Sequence, residues 1–227
     1  MTRLAKIVAP VGLILAATAA LPAHAQVEGR MASVDITRTI IGTTAFQTAY
    51  ELVNTTYAQQ NELRRTKVQE RQTLLAKFDK NGDKQVDETE QAAMQSSADF
   101  PKLQTLEQEI QGLANQVDGA RIFAVEQIIT QYGAALQDVT TANQIKIVFE
   151  PGTVLFAVPE ADISQKVTTA LNARVPSVGV VPPAGWQPSR EGVQVYQEIQ
   201  QRLLAAQYAQ AQQQATQQGN PAAPAGR

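Results

Sequence analysis

The chain has 227 residues and a formal net charge of −2, with 5% aromatic residues, a single histidine and no cysteine. The lack of cysteine excludes disulfides, thiolate metal sites and Cys-His nucleophiles, and a weak acidic balance gives no electrostatic reason to expect nucleic-acid binding. Sparse aromatics with abundant Ala and Gln favour long helices over a large compact core.

The N-terminus carries Arg3 and Lys6, then an apolar run from Ile7 to Ala20, then Ala23-His24-Ala25 as a small-x-small cleavage site. This pattern predicts a secretory signal peptide over residues 1–25, removed before Gln26. The run is short for a membrane span and Pro10 interrupts it, so cleavage is expected rather than anchoring. Cleavage removes the only histidine, which leaves no Ser-His-Asp triad, no His-ligated zinc and no haem ligand pair. The mature chain is expected to be soluble, outside the cytoplasm and without a transmembrane segment.

Met31-Ala-Ser-Val-Asp-Ile36 alternates and is rich in β-branched residues, which predicts a strand. A turn follows around Gly42. From Thr44 the period changes: Phe46, Tyr50, Val53, Tyr57, Val68, Leu75 and Phe78 fall on or near one helical face, so helix is expected to about Phe78. A second helix starts near Pro101, which suits a first helical turn. Leu103, Leu106, Ile110, Leu113, Val117, Ala120 and Ala124 follow it in an unbroken a/d heptad stripe. Two long helices of near-equal length around a turn segment predict an antiparallel hairpin over 44–137, about 50 Å long at ~1.5 Å per residue. Small Ala120 and Ala124 and polar Asn61 and Arg64 suit a slender, partly solvated arm. Tyr57 and Phe123 are its candidate contacts for a client chain, with Phe46 and Tyr50 nearer the base; each could equally lie in the seam between the helices.

Between the helices, Asp79-Lys-Asn81-Gly-Asp83-Lys84-Gln85-Val86-Asp87-Glu-Thr-Glu90 resembles an EF-hand loop. Asp79, Asn81, Asp83, the Gln85 carbonyl, Asp87 and Glu90 match its ligand positions. The sixth position should be Gly and is Lys84, a conformational cost on the order of 1 kcal/mol. The same residues fit a second reading, a turn at Asp79–Gly82 and a capping box made by Asp87 and Glu90. Calcium is thus the one metal this chain is equipped to take; no other cofactor is expected.

After Gln144, Ile145–Phe149 and Thr153–Val158 read as two strands around a Pro151-Gly152 turn. Asp162 and Gln165 look like a capping pair for a helix over 163–173. The early strand has no local partner, so it needs the late strands, and the hairpin must be an insertion. The expected fold class is α+β: a small β body (26–43 and 138–173) with an inserted coiled-coil arm. Pro176, Pro182, Pro183 and Pro188 mark 174–188 as a linker. Ser189 can cap an extra helix over 189–216 with Val193, Tyr196, Ile199, Leu203 and Leu204 on a stripe. Residues 217–227 look disordered.

The order strand, long helical hairpin, two strands and short helix resembles the Skp/OmpH family of periplasmic chaperones. The Val154-Leu-Phe156 strand, Pro159 and the Asp162-Ile-Ser164 helix start carry that resemblance, which covers about residues 31–173. It implies an ATP-independent periplasmic holdase that assembles as a homotrimer through its β body. Its arms would enclose unfolded outer-membrane proteins. Familiar members are often strongly basic and this chain is not, so no lipid-binding residue is carried across. Two other classes remain: a coiled-coil structural or adaptor protein of the cell envelope, and a carboxylate-dependent glycan hydrolase. The hydrolase needs two carboxylates across a cleft, whereas the acidic residues here cluster in the turn or on helix surfaces.

Overall fold

The computed structural model describes residues 29–83 and 85–218, with side chains through 214. The predicted leader, Lys84 and residues 219–227 of the predicted tail lie outside the described residues. The protein is mostly helical around a two-stranded sheet. Its elements are β1 (Arg30–Ser33), α1 (Ile36–Ile41), α2 (Thr44–Thr56), α3 (Ala58–Leu75), α4 (Glu88–Gln95), α5 (Phe100–Ala142), β2 (Ile145–Phe149), α6 (Ser164–Arg174) and α7 (Arg190–Gln218).

β1 pairs with β2 in parallel, Met31 opposite Ile147 and Ser33 opposite Phe149. Parallel neighbours need a long crossover, and here it comprises every element from α1 to α5. The early strand is shorter than its alternation suggests. Asp35 caps α1 by accepting from the Arg38 amide at 2.9 Å, so residues 36–41 are helical despite their β-branched side chains. Thr43 caps α2 in the same way, accepting from the Phe46 amide.

The second late strand does not form. Residues 151–153 make a 3-10 turn, and no strand is assigned over Thr153–Val158. Among the described residues the sheet holds only β1 and β2. The third contact to β1 is a single bridge from Ser33 to Asp162, with the Ile163 amide donating to the Ser33 carbonyl at 2.9 Å. A segment with no partner strand in its own chain has nowhere to send a ladder of backbone hydrogen bonds.

α3 and α5 pack along the arm. Their ion pairs are Lys67–Glu109, Glu70–Lys102 and Arg71–Glu107, and Lys77–Asp99 closes the row beyond α3. At the outer end Leu74, Leu103 and Leu106 form a small apolar cluster with Leu75, Phe78 and Met94 against it. At the arm base Ala49, Val53, Val117, Ala120 and Ala124 form a second. The main core lies in the body, where Ile40, Ile128, Val167, Leu171 and Ile199 are fully buried. α5, 43 residues long, belongs to all three clusters. Two residues after its end, Gln144 takes a φ of 55° and turns the chain into β2.

The segment 174–188 is packed rather than a free linker. Val175 and Val180 are buried, and Val180 belongs to the arm-base cluster. Its prolines keep the chain extended, but the valines between them give it a face to bury. α7 is likewise part of the body: Val195, Tyr196 and Ile199 are buried, and Arg202 pairs with Asp35 at 2.7 Å. Gly192 lets the start of α7 approach closely, because a Cβ there would lie 2.4 Å from Glu126 Oε1.

Candidate functional site

Three places on the molecule combine exposure, unusual chemistry or a predicted role. The first is an apolar face beside the sheet. Met31, Phe149, Leu155, Phe156 and Val158 are exposed, Leu155 and Phe156 almost entirely (106% and 84%). Met31, Phe149, Phe156 and Val158 line one shallow concavity. Single exposed apolar residues are ordinary, but a contiguous set on a two-stranded sheet is not. Phe156, in the segment expected as the second late strand of the β body, is therefore not core within one chain. The face is held by polar contacts at its back. Arg38 pairs with Asp162 and donates to the Ser164 hydroxyl at 3.0 Å, and that hydroxyl accepts from the Asp35 amide at 2.9 Å. Burial pushes the Asp162 carboxyl up, but the Ser164 hydroxyl and amide and the Arg38 guanidinium outweigh it and hold the group below its ordinary value.

The second place is the arm base, where both predicted client-contact residues lie. Each is half-buried, and each is covered by the chain's own 178–186 segment. Tyr57 donates its hydroxyl to the Val180 carbonyl at 3.3 Å. Phe123 meets Trp186 edge-on, with ring centroids 5.5 Å apart. Between them, Gln127 accepts from the Gly179 amide at 3.0 Å and donates to the Gly179 carbonyl at 2.9 Å. Glu126 accepts from the Trp186 indole at 3.1 Å and from the Ser189 amide at 2.6 Å. Tyr50 stacks on Phe46, lies 5.0 Å from the Arg121 guanidinium and accepts from Gln200. Tyr196 donates to Asp118 at 2.6 Å, and burial first, then that carboxylate, push its phenol far up. Sequence reasoning missed Gln127, Glu126 and Trp186. The available signal was the chain's only tryptophan set among prolines, and the Val178-Gly-Val180 alternation just before it.

The third place is the loop 79–90. Asp79 accepts from the Gly82 amide at 2.7 Å, Asn81 from the Asp83 amide at 3.0 Å and Asp83 from the Gln85 amide at 2.7 Å. Gly82 takes a φ of 77° in this turn. Asp87 and Glu90 form a reciprocal capping box on α4. Glu90 is 4% exposed, and its two oxygens accept from the Lys80 amide at 2.8 Å and the Asp87 amide at 3.3 Å. Each oxygen of that carboxylate thus accepts one backbone amide. Among the described residues, no group of three or more acidic side chains is arranged to hold a metal. The hydrogen bonds of Asp79, Asn81, Asp83, Asp87 and Glu90 are those of a turn and a helix cap.

No helix among the described residues is long and apolar enough to cross a membrane. No curated protein matches the chain at a significant level. Among solved structures it is similar to a protein of Caulobacter crescentus CB15 whose name proposes an OmpH-like outer membrane chaperone. The two are 15% identical, the match covers 69% of this chain and 92% of that one, and the TM-score is 0.40. The family model for outer membrane protein (OmpH-like) matches residues 30–171, from β1 to the penultimate turn of α6 and short of α7. That span is more than half of the chain and holds the sheet, the arm and the apolar face, so the chain belongs to the OmpH-like outer membrane protein family.

Proposed function

We propose that this protein is an ATP-independent holdase of the periplasm, which binds unfolded outer-membrane proteins and prevents their aggregation. The family membership supports a chaperone role, and the predicted leader supports export. The single observation that carries the assembly is the exposed apolar row of Met31, Phe149, Leu155, Phe156 and Val158 beside a two-stranded sheet. A sheet this small is marginal alone, and an open edge flanked by apolar side chains invites pairing. Three copies meeting through this face would cover it and supply the partner that residues 154–158 lack. Each copy would then project an antiparallel arm, and the arms would enclose the client. Tyr57 and Phe123 are the proposed contacts at the arm base.

The test pairs native mass with aggregation suppression. The mature protein is expected to be a trimer that keeps an unfolded outer-membrane barrel protein soluble without nucleotide. Phe156→Asp is expected to give a folded chain of monomer mass, because that side chain is 84% exposed in one copy and carries no intrachain packing. A wild-type monomer, or a Phe156→Asp trimer, would overturn the assembly. Failure to suppress aggregation would overturn the holdase.

A further inference from the structure

The arm base holds a segment of the chain's own backbone in the way a peptide-binding groove holds a ligand. Residues 178–180 cross α2 and α5, and the chain bends at Val180 and Val181. Val180 points in and is 5% exposed, while Val181 points out and is 65% exposed. Val178, two residues before Val180, packs against both the arm-base and the body clusters. That is the period of a β-strand. The inward valines are met by apolar side chains, Val53, Val117 and Ala120 among them.

The backbone between them is read by amide geometry. One side chain, Gln127, takes both the N–H and the C=O of Gly179, as a neighbouring strand would. The Tyr57 hydroxyl takes the next carbonyl, that of Val180. None of these polar contacts depends on the identity of the bound side chains. Recognition of this kind draws affinity from the main chain and selects only for alternate apolar side chains. A Cβ at Gly179 would lie 3.7 Å from the Phe123 ring, an ordinary van der Waals contact, so the position has room for a small side chain.

From these contacts we infer that the groove is a binding site for extended, alternately apolar peptide segments. The chain's own residues 178–183 act as a built-in occupant that a client strand displaces. This inference rests on the holdase reading and names the part of the client that is gripped: a strand-forming segment of an unfolded barrel. The occupant is separately anchored on both sides. Upstream, Leu171 is fixed in the body; downstream, α7 is held by Ile199 and by Arg202 on Asp35. Val175 itself belongs to the body core, so the part that leaves the groove is residues 178–183, between these two anchors. A tethered competitor acts at an effective concentration on the order of mM. Apparent client affinity is then lowered by the fraction of grooves that are open.

The experiment uses the full mature chain and a labelled synthetic peptide carrying residues 175–183, followed by fluorescence anisotropy. Val180→Asp places a charge among Val53, Val117 and Ala120 and should expel the built-in segment. Trp186→Ala leaves the groove wall intact and removes only the anchor on Phe123 and Glu126. Both variants are expected to bind the peptide at least tenfold tighter than wild type. Adding Gln127→Leu to either should abolish the gain. Excess peptide should also reduce capture of an unfolded barrel protein by Trp186→Ala. If Val180→Asp fails to fold, Trp186→Ala alone decides. Equal affinity in wild type and Trp186→Ala, or a gain that survives Gln127→Leu, would overturn the groove. In that case aggregation suppression by the wild type would still support the holdase, whereas its absence would overturn the holdase separately.

Discussion

Ile199 on α7 offers a sharp test of whether the C-terminal helix is part of the body. Its side chain is fully buried, and it joins Ile128, Val167 and Leu171 in the main core. Ile199→Ala removes three side-chain carbons, about 2.4 kcal/mol of lost transfer energy at ~0.8 kcal/mol per carbon. A cavity left in a core drawn from several elements raises the expected cost into the range of about 2–5 kcal/mol. Leu204 is the internal control. It lies on the same helix five residues on, is 51% exposed, and Leu204→Ala is expected to cost less than about 1 kcal/mol. Urea unfolding at fixed protein concentration, followed by far-UV dichroism and by Trp186 fluorescence, measures both. The concentration is fixed because association would add to apparent stability. The two probes should give one transition for wild type. An Ile199→Ala cost below about 0.5 kcal/mol, or one equal to that of Leu204→Ala, would refute the packing of α7 on the body.

Four further outcomes follow from local geometry. Asp162 is held below its ordinary value, so the stability it contributes is present above the ordinary carboxylate range, about pH 3.9, and is lost as pH falls through the depressed folded value. The urea midpoint of wild type should therefore drop below about pH 4, with a shallower drop in Asp162→Asn. Gln144 adopts a left-handed φ of 55° after α5, where glycine is the usual residue. Gln144→Gly should thus raise thermal stability by about 0.5–1 kcal/mol, whereas Gln144→Val should lower it. Asp87→Ala removes the N-cap of α4 and should cost about 1 kcal/mol, read as local loss of amide-exchange protection at 88–91. Calorimetry with calcium decides between the turn-and-cap and EF-hand readings of 79–90: no heat is expected for wild type if Glu90 serves only its cap contacts, whereas saturable heat would support the EF-hand reading, and Lys84→Gly should then strengthen it.

What could be read in the sequence was periodic or local. The heptad spacing from Leu103 to Ala124 marked the face of α5 that is buried at both ends of the arm. The Asp87–Glu90 spacing marked a capping box that the structure contains. The need of the early strand for a late partner was also legible, and β1 does pair with β2. What could not be read depended on contacts between distant residues. Thr153–Val158 has the composition of a strand, yet composition supplies no neighbour, and within one chain there is none. Asp35 sits in an alternating β-branched run, and its capping of α1 outweighs that propensity. The prolines at 176–188 read as a linker. Val180 between them is nevertheless buried, and Gln127 and Tyr57 supply hydrogen bonds to the Gly179 and Val180 backbone beside it.

The distribution of apolar and charged contacts along the arm bears on how a nucleotide-free holdase could release what it holds. The two arm helices are pinned by apolar clusters at the base and at the outer end, and between them the paired groups are charged: Lys67–Glu109, Glu70–Lys102 and Arg71–Glu107. Exposed pairs of this kind contribute about 0–1 kcal/mol each. They flank a mid-arm seam in which Val68, Ile110 and Leu113 are only half-buried. On the holdase reading, tight contact would lie at the base, where an occupant already competes in cis. Release needs no energy source under such an arrangement. Each time a client strand lets go, the tethered segment refills the groove faster than a free strand can return. Affinity is thereby capped, and transfer to a folding partner is a matter of competition rather than of work.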